Sequence, residues 1–121
     1  MIALRSPQEA YARVDLDARI NGADARGLVT LCYEQLVTSI GTAMFAAARR
    51  DNALKSRSLT RALSAVTALQ LGVSGEGGVA DSLRRFYEGA RRTLLDSAIR
   101  FDAERLETLR QDVRDIAIAV T

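Results

Sequence analysis

Arginines arrive in doublets at 49–50, 84–85 and 91–92, a pattern that could grip phosphate backbones. Arg84 and Arg91 are seven apart and share a helix face, as do Arg85 and Arg92. Asp81, Glu88 and Asp96 interleave with them, so a phosphate-seeking stripe would be partly neutralised in advance. A salt-bridged outer face is the better expectation, with Asp81–Arg85, Arg84–Glu88 and Glu88–Arg92 paired four apart. The carboxylates Glu104, Glu107, Asp112 and Asp115 could form an acid–base pair only if desolvated, yet arginines stand three or four residues away. The glycine-rich stretch Gly72 to Gly78 invites a phosphate cradle. A P-loop, however, needs a preceding strand and a following Gly-Lys-Ser/Thr, and both are missing. It reads as a flexible hairpin connection. Cys32 lies inside an apolar stripe, and no histidine exists to activate it or to ligate zinc or iron. No catalytic residue, cofactor site or metal site is expected.

Charge and composition narrow the class further. The net charge is +2, and Lys55 is the sole lysine among 17 basic residues, so the field is near balance. At 121 residues the chain fits one domain with a core that needs no staples. No run reaches the roughly 18 apolar residues a membrane span needs, and no charged-then-apolar signal segment opens the chain. A soluble cytoplasmic protein without membrane insertion is expected.

The elements that would position these residues are helices. Ser6-Pro7-Gln8-Glu9 is a helix start, with Ser6 as N-cap, Pro7 at the first turn and Glu9 reaching back. The short helix it opens carries Tyr11, Val14 and Ala18 on one face and breaks at Asn21-Gly22. At this length it is marginal alone and must dock to persist. Residues 1–22 are therefore an N-terminal arm, and 23–121 a bundle within the same single domain. Asp24 is the expected N-cap of a long helix to about Arg50, and Asp51-Asn52 the break after it. A second helix carries Leu54, Leu59, Ala62, Leu63, Val66 and Leu69, with Gly72 just past its end. A third has Val79, Leu83, Phe86, Tyr87, Ala90, Leu94, Leu95 and Ala98 in its stripe. Asp102 caps a fourth, with Leu106, Leu109, Val113, Ile116 and Val120 inward. Short connections make neighbours antiparallel, so the fold class is all-α: an up-down four-helix bundle with an N-terminal helical arm.

Apolar residues at 28, 29, 31, 32, 36, 37, 40 and 44 give the first long helix its stripe, with Tyr33 beside it. Tyr33 and Tyr87 are expected in the core with hydroxyls reaching a partner or water at its edge. Tyr11 belongs to the arm, which either completes the fold or stands in for a ligand helix that displaces it.

Four stretches together resemble the FliS family of flagellin-specific export chaperones. Ala10-Tyr11 is similar to the family's N-terminal Ala-Tyr arm. Leu28-Val29-x-Leu31-Cys32-Tyr33-Glu34 resembles its Leu-Val-x-Met-Leu-Tyr-Glu signature. Ala46 to Asp51, Arg61-Ala62 and Leu69 follow its spacing into the second helix. Gly77-Gly78-Val79-Ala80 with Leu83, Phe86-Tyr87, Leu94, Ala98 and Asp102 follows its later pattern. The likeness covers nearly the whole chain. Departures are Cys32 for a leucine, Ala25 and Gly27 at the helix start, Phe86 for a leucine, and Ile116 where an aromatic is common.

The resemblance implies a cytoplasmic chaperone, not an enzyme. It would bind the C-terminal helical segment of flagellin in a groove, prevent premature polymerisation and support delivery to an export-gate component. Tyr11 and Val14 would belong to a displaceable arm, and Leu28, Tyr33, Leu83 and Tyr87 would form or support the groove. No nucleic acid is needed for this. The alternatives are a small helical nucleic-acid-binding protein and a chaperone for a different secreted client.

Overall fold

The computed structural model describes residues 25–120, which form four helices and no strand: α1 (Ala25–Ala48), α2 (Asn52–Gly72), α3 (Gly78–Ile99) and α4 (Ala103–Val120). The arm with Tyr11 and Val14, its Ser6 cap and the Asp24 cap lie outside the described residues.

The turn at 49–51 shows how local chemistry ends one helix and begins the next. Asp51 N–H donates to the Ala46 carbonyl at 2.9 Å and Arg50 N–H to the Ala47 carbonyl at 3.1 Å. These satisfy the orphan carbonyls of α1 in a Schellman arrangement. Arg50 takes the left-handed position usually given to glycine, at φ 57°. The Asp51 carboxylate then accepts from Leu54 N–H at 3.0 Å and caps α2. Asp102 does the same for α4, accepting from Arg105 N–H at 3.1 Å, as expected. Gly72 is still the last residue of α2, and Val73 is the cap, its N–H bonded to the Gln70 carbonyl.

Between α2 and α3, Gly75 and Gly77 take positive φ of 83° and 76°, a conformation that a side chain would strain. The Gly75 carbonyl accepts from the Arg84 guanidinium, which also pairs with Asp81 at 3.1 Å. The expected pairs four apart do not form. Arg84 reaches back to the loop, Glu88 turns toward Gln70 on α2 (3.4 Å), and Arg85 contacts Ser82. A long guanidinium takes the nearest acceptor, and the loop and α2 are nearer than the next turn.

Helices adjacent in sequence pack together and α4 closes back on α1, giving a four-membered ring. The diagonal pairs make no close backbone approach. Packing is most extensive between α1 and α2, where the small buried residues Ala43, Ala46, Ala62 and Ala65 let the helices draw near. It is least extensive between α3 and α4. Leu36, Ile40, Val66, Leu94, Leu106 and Val113 are fully buried, each worth about 1.5–3 kcal/mol of burial. On the α1–α4 seam the Arg110 guanidinium lies over Gly41, 3.1 Å from where a Cβ would stand.

Three inward assignments on α3 need correction: Val79, Leu95 and Ala98 are exposed. The buried line is Tyr87, Ala90, Leu94 and Ser97, with spacings of three, four and three. Leu95 lies one residue, and so about 100°, off that line. Val120 at the end of α4 is also exposed, while Ile116 is half-buried. A further correction concerns α1. Between Arg26 and Ala48 it is long and apolar enough to cross a membrane by length and composition, although Glu34 and Gln35 interrupt the apolar run. In the bundle its Leu31, Tyr33, Leu36, Ile40, Ala43 and Ala46 are buried in the protein.

Candidate functional site

The loosest seam of the ring opens into a groove of about 620 Å³ between α3 and α4. Its α3 wall carries Arg85, Phe86, Gly89, Ala90 and Thr93, and its α4 wall Glu104, Arg105, Thr108, Leu109 and Asp112. From Arg85 to Thr93 the groove runs along roughly 12 Å of α3, two helical turns. Phe86, Ala90 and Leu109 make an apolar floor, and the charged residues stand at its edges. Small residues at 89, 90, 93 and 108 keep the walls low. Gly89 has nothing within 4 Å of the position a Cβ would take, so no neighbour in the bundle requires a glycine there.

The tyrosines lie beneath this groove rather than in it. Tyr33 on α1 and Tyr87 on α3 are 3% and 2% exposed, and their hydroxyls hydrogen-bond to each other across the ring. Their ring centroids are 6.5 Å apart. Phe86 meets Tyr87 edge-on at 5.9 Å and an interplanar angle of 63°, so the groove floor rests on the buried pair. Leu83 is half-buried against the same core, one turn before Phe86. Leu28 is 36% exposed at the start of α1. The four positions named from sequence within the described residues thus do not form one surface. Tyr33 and Tyr87 are core, Leu83 flanks it, and Leu28 stands apart on the first turn of α1.

Sequence reading missed Gly89, Thr93, Thr108 and the wall charges, because on a helical plot they fall on the polar face. One signal was available: a glycine in the middle of α3 weakens the helix by about 1 kcal/mol relative to alanine, with no turn to justify it.

Burial raises the Cys32 thiol above its usual range, which keeps it a thiol rather than a nucleophilic thiolate. Burial likewise raises both tyrosines; for Tyr33 the hydrogen bond with Tyr87 opposes the shift only in part. Glu107 is held below the usual carboxylate range chiefly by its bond from Arg110, which outweighs desolvation, with smaller help from the charges of Arg110 and Arg114. That pair belongs to the α1–α4 seam and serves packing. The arginine doublets do not converge on one face. Arg84 is tied to Asp81 and Gly75, Arg91 to Thr67 at 2.9 Å, and Arg105 to Asp96 at 3.3 Å. Among the described residues no group of His, Cys, Asp and Glu could hold a metal ion.

A protein-family model described as flagellar protein FliS matches residues 7–119. No curated protein matches closely enough to count as a relative.

Proposed function

Because the chain belongs to the FliS family, chaperones of flagellum assembly, we propose that it holds the C-terminal segment of flagellin in the cytoplasm before export. The observation that carries this reading is the open α3–α4 groove, with its apolar floor and charged edges, at the least extensively packed seam of the ring. An amphipathic segment can lay apolar anchors at i, i+3, i+4 and i+7 along such a floor. The two turns of groove are enough for one set of these anchors. A segment that is disordered when free gives up conformational entropy as it orders, which tempers affinity and leaves release possible at the export apparatus.

In this reading Phe86 and Leu109 touch the client. Tyr33, Tyr87 and Leu83 hold Phe86 from below, and Leu28 lies outside the contact. Residues 1–22, with Tyr11 and Val14, form an arm separate from the bundle at 23–121 and compete with the client for apolar surface. Delivery then brings the loaded chaperone to an export-gate component. In this reading the protein acts by binding and is not an enzyme.

Mixing the protein with the C-terminal segment of flagellin should give a one-to-one complex on gel filtration. Absence of binding at tens of micromolar would overturn the reading. Binding should also vary little with salt relative to duplex DNA binding, which weakens steeply as salt rises. Deleting residues 1–20 should raise client affinity, and an unchanged affinity would count against the competing arm.

A further inference from the structure

The groove is electrically lopsided across its width. On the α3 wall Arg85 is exposed, and its one hydrogen bond is to Ser82 within its own helix, at 3.4 Å. Arg92, also exposed, follows seven residues on along the same helix face, beside the residues that line the groove rather than among them. On the α4 wall Glu104 and Asp112 stand two turns apart, both exposed. Arg105 is the one cation lining that wall, but its guanidinium leans back to α3, bonding Asp96 at 3.3 Å and Thr93 at 3.1 Å. Paired with the Asp96 carboxylate, its charge is offset and leaves Glu104 and Asp112 as the uncompensated charges of the α4 wall. Among the described residues Arg85, Arg92, Glu104 and Asp112 make no ion pair, within a wall or across the groove.

We infer that the basic α3 wall and the acidic α4 wall fix the direction in which an amphipathic client helix lies in the groove. The inference rests on the chaperone reading above and commits to one occupant, a helix of the exported client with acids on one flank and bases on the other. With its apolar stripe set down on Phe86, Ala90 and Leu109, such a helix can lie in two directions. Turning it end for end exchanges its flanks. One direction sets acids against Arg85 and Arg92 and bases against Glu104 and Asp112; the other sets like charges together. Rim charges of this kind add little affinity but discriminate between arrangements, because the wrong one meets repulsion at both walls. The apolar floor supplies the attraction, and the walls choose the orientation.

The test uses the whole chain and the C-terminal peptide of flagellin carrying a photo-crosslinker at its N-terminus. Three variants are compared with the unaltered protein: Arg85→Glu with Arg92→Glu, Glu104→Lys with Asp112→Lys, and all four together. All four positions are exposed, and circular dichroism checks that each variant folds. Each single-wall variant should bind roughly tenfold more weakly at low salt. In the four-site variant affinity should return, with the crosslink moved from one end of the groove to the other. Single-wall affinities within twofold of the original, or a crosslink that stays in place when both walls are reversed, would overturn the inference and leave the chaperone reading standing. Absence of peptide binding to the unaltered protein would overturn both.

Discussion

The hydroxyls of Tyr33 and Tyr87 hydrogen-bond to each other inside the bundle, joining α1 to α3 across a diagonal that the backbones do not bridge. Both rings are buried, and Phe86 in the groove rests on one of them. The pair links the core of the ring to the floor of its most open seam.

Each hydroxyl is the other's partner, so removing one orphans the other. Tyr33→Phe or Tyr87→Phe alone should cost about 1–3 kcal/mol in urea denaturation. The double replacement should cost clearly less than the sum, since no unpaired polar group remains. Additive losses would show that the two hydroxyls act independently.

Burial raises both tyrosines above their ordinary range, so the unfolded chain releases these protons first as pH climbs. The stability this contributes is complete below about pH 10, the ordinary tyrosine value, and is lost as pH rises from there through the folded values. Unfolding midpoints should begin to fall near the ordinary thiol value of 9.0, because burial raises Cys32 as well, and fall more steeply above about pH 10. In absorbance at 295 nm Tyr33 and Tyr87 should ionise late and together with unfolding. Ordinary titration of all tyrosines in the folded protein would contradict this.

Gly89 weakens α3 without a packing reason. Gly89→Ala should stabilise the protein by about 0.8–1 kcal/mol, read as a higher melting temperature. Gly89→Trp should leave the helical content intact yet fill the groove and abolish binding of the flagellin segment. Retained binding by the tryptophan variant would place the client elsewhere.

Arg50 holds a left-handed conformation that costs a non-glycine residue about 1–2 kcal/mol. Arg50→Gly relieves this, offset in part by the greater freedom of glycine in the unfolded chain. A net gain of roughly 0.5–1 kcal/mol in denaturation experiments is expected. A loss would mean that the arginine side chain contributes something its exposed position does not reveal.

The Asp102 cap and the core lines were legible because they obey local rules. Asp102 sits where a short polar side chain satisfies the first N–H groups of α4, whereas Asp51 read only as part of a break and the structure makes it the cap of α2. Leu59, Ala62, Val66 and Leu69 follow the helical period into the core. The same rule misassigned Leu95, because periodicity gives a stripe's spacing but not the angle at which neighbours meet it. The salt-bridge pattern on α3 failed for a related reason. Spacing of four permits Arg84–Glu88, while the loop carbonyl of Gly75 and Gln70 on α2, distant in sequence, offered nearer partners.

By itself the sequence determined the four helices of the bundle, their antiparallel order, the Asp102 cap and the family, since these rest on short-range periodicity and on motifs spread along nearly the whole chain. Only the tertiary structure decided that Tyr33 and Tyr87 face each other and that α3 and α4 part to form a groove. It also decided that Arg85 on α3 faces Glu104 and Asp112 on α4 across that groove. These depend on interhelical distance and rotation, which are set by how small and large side chains interlock across the ring, and no single helix carries that information.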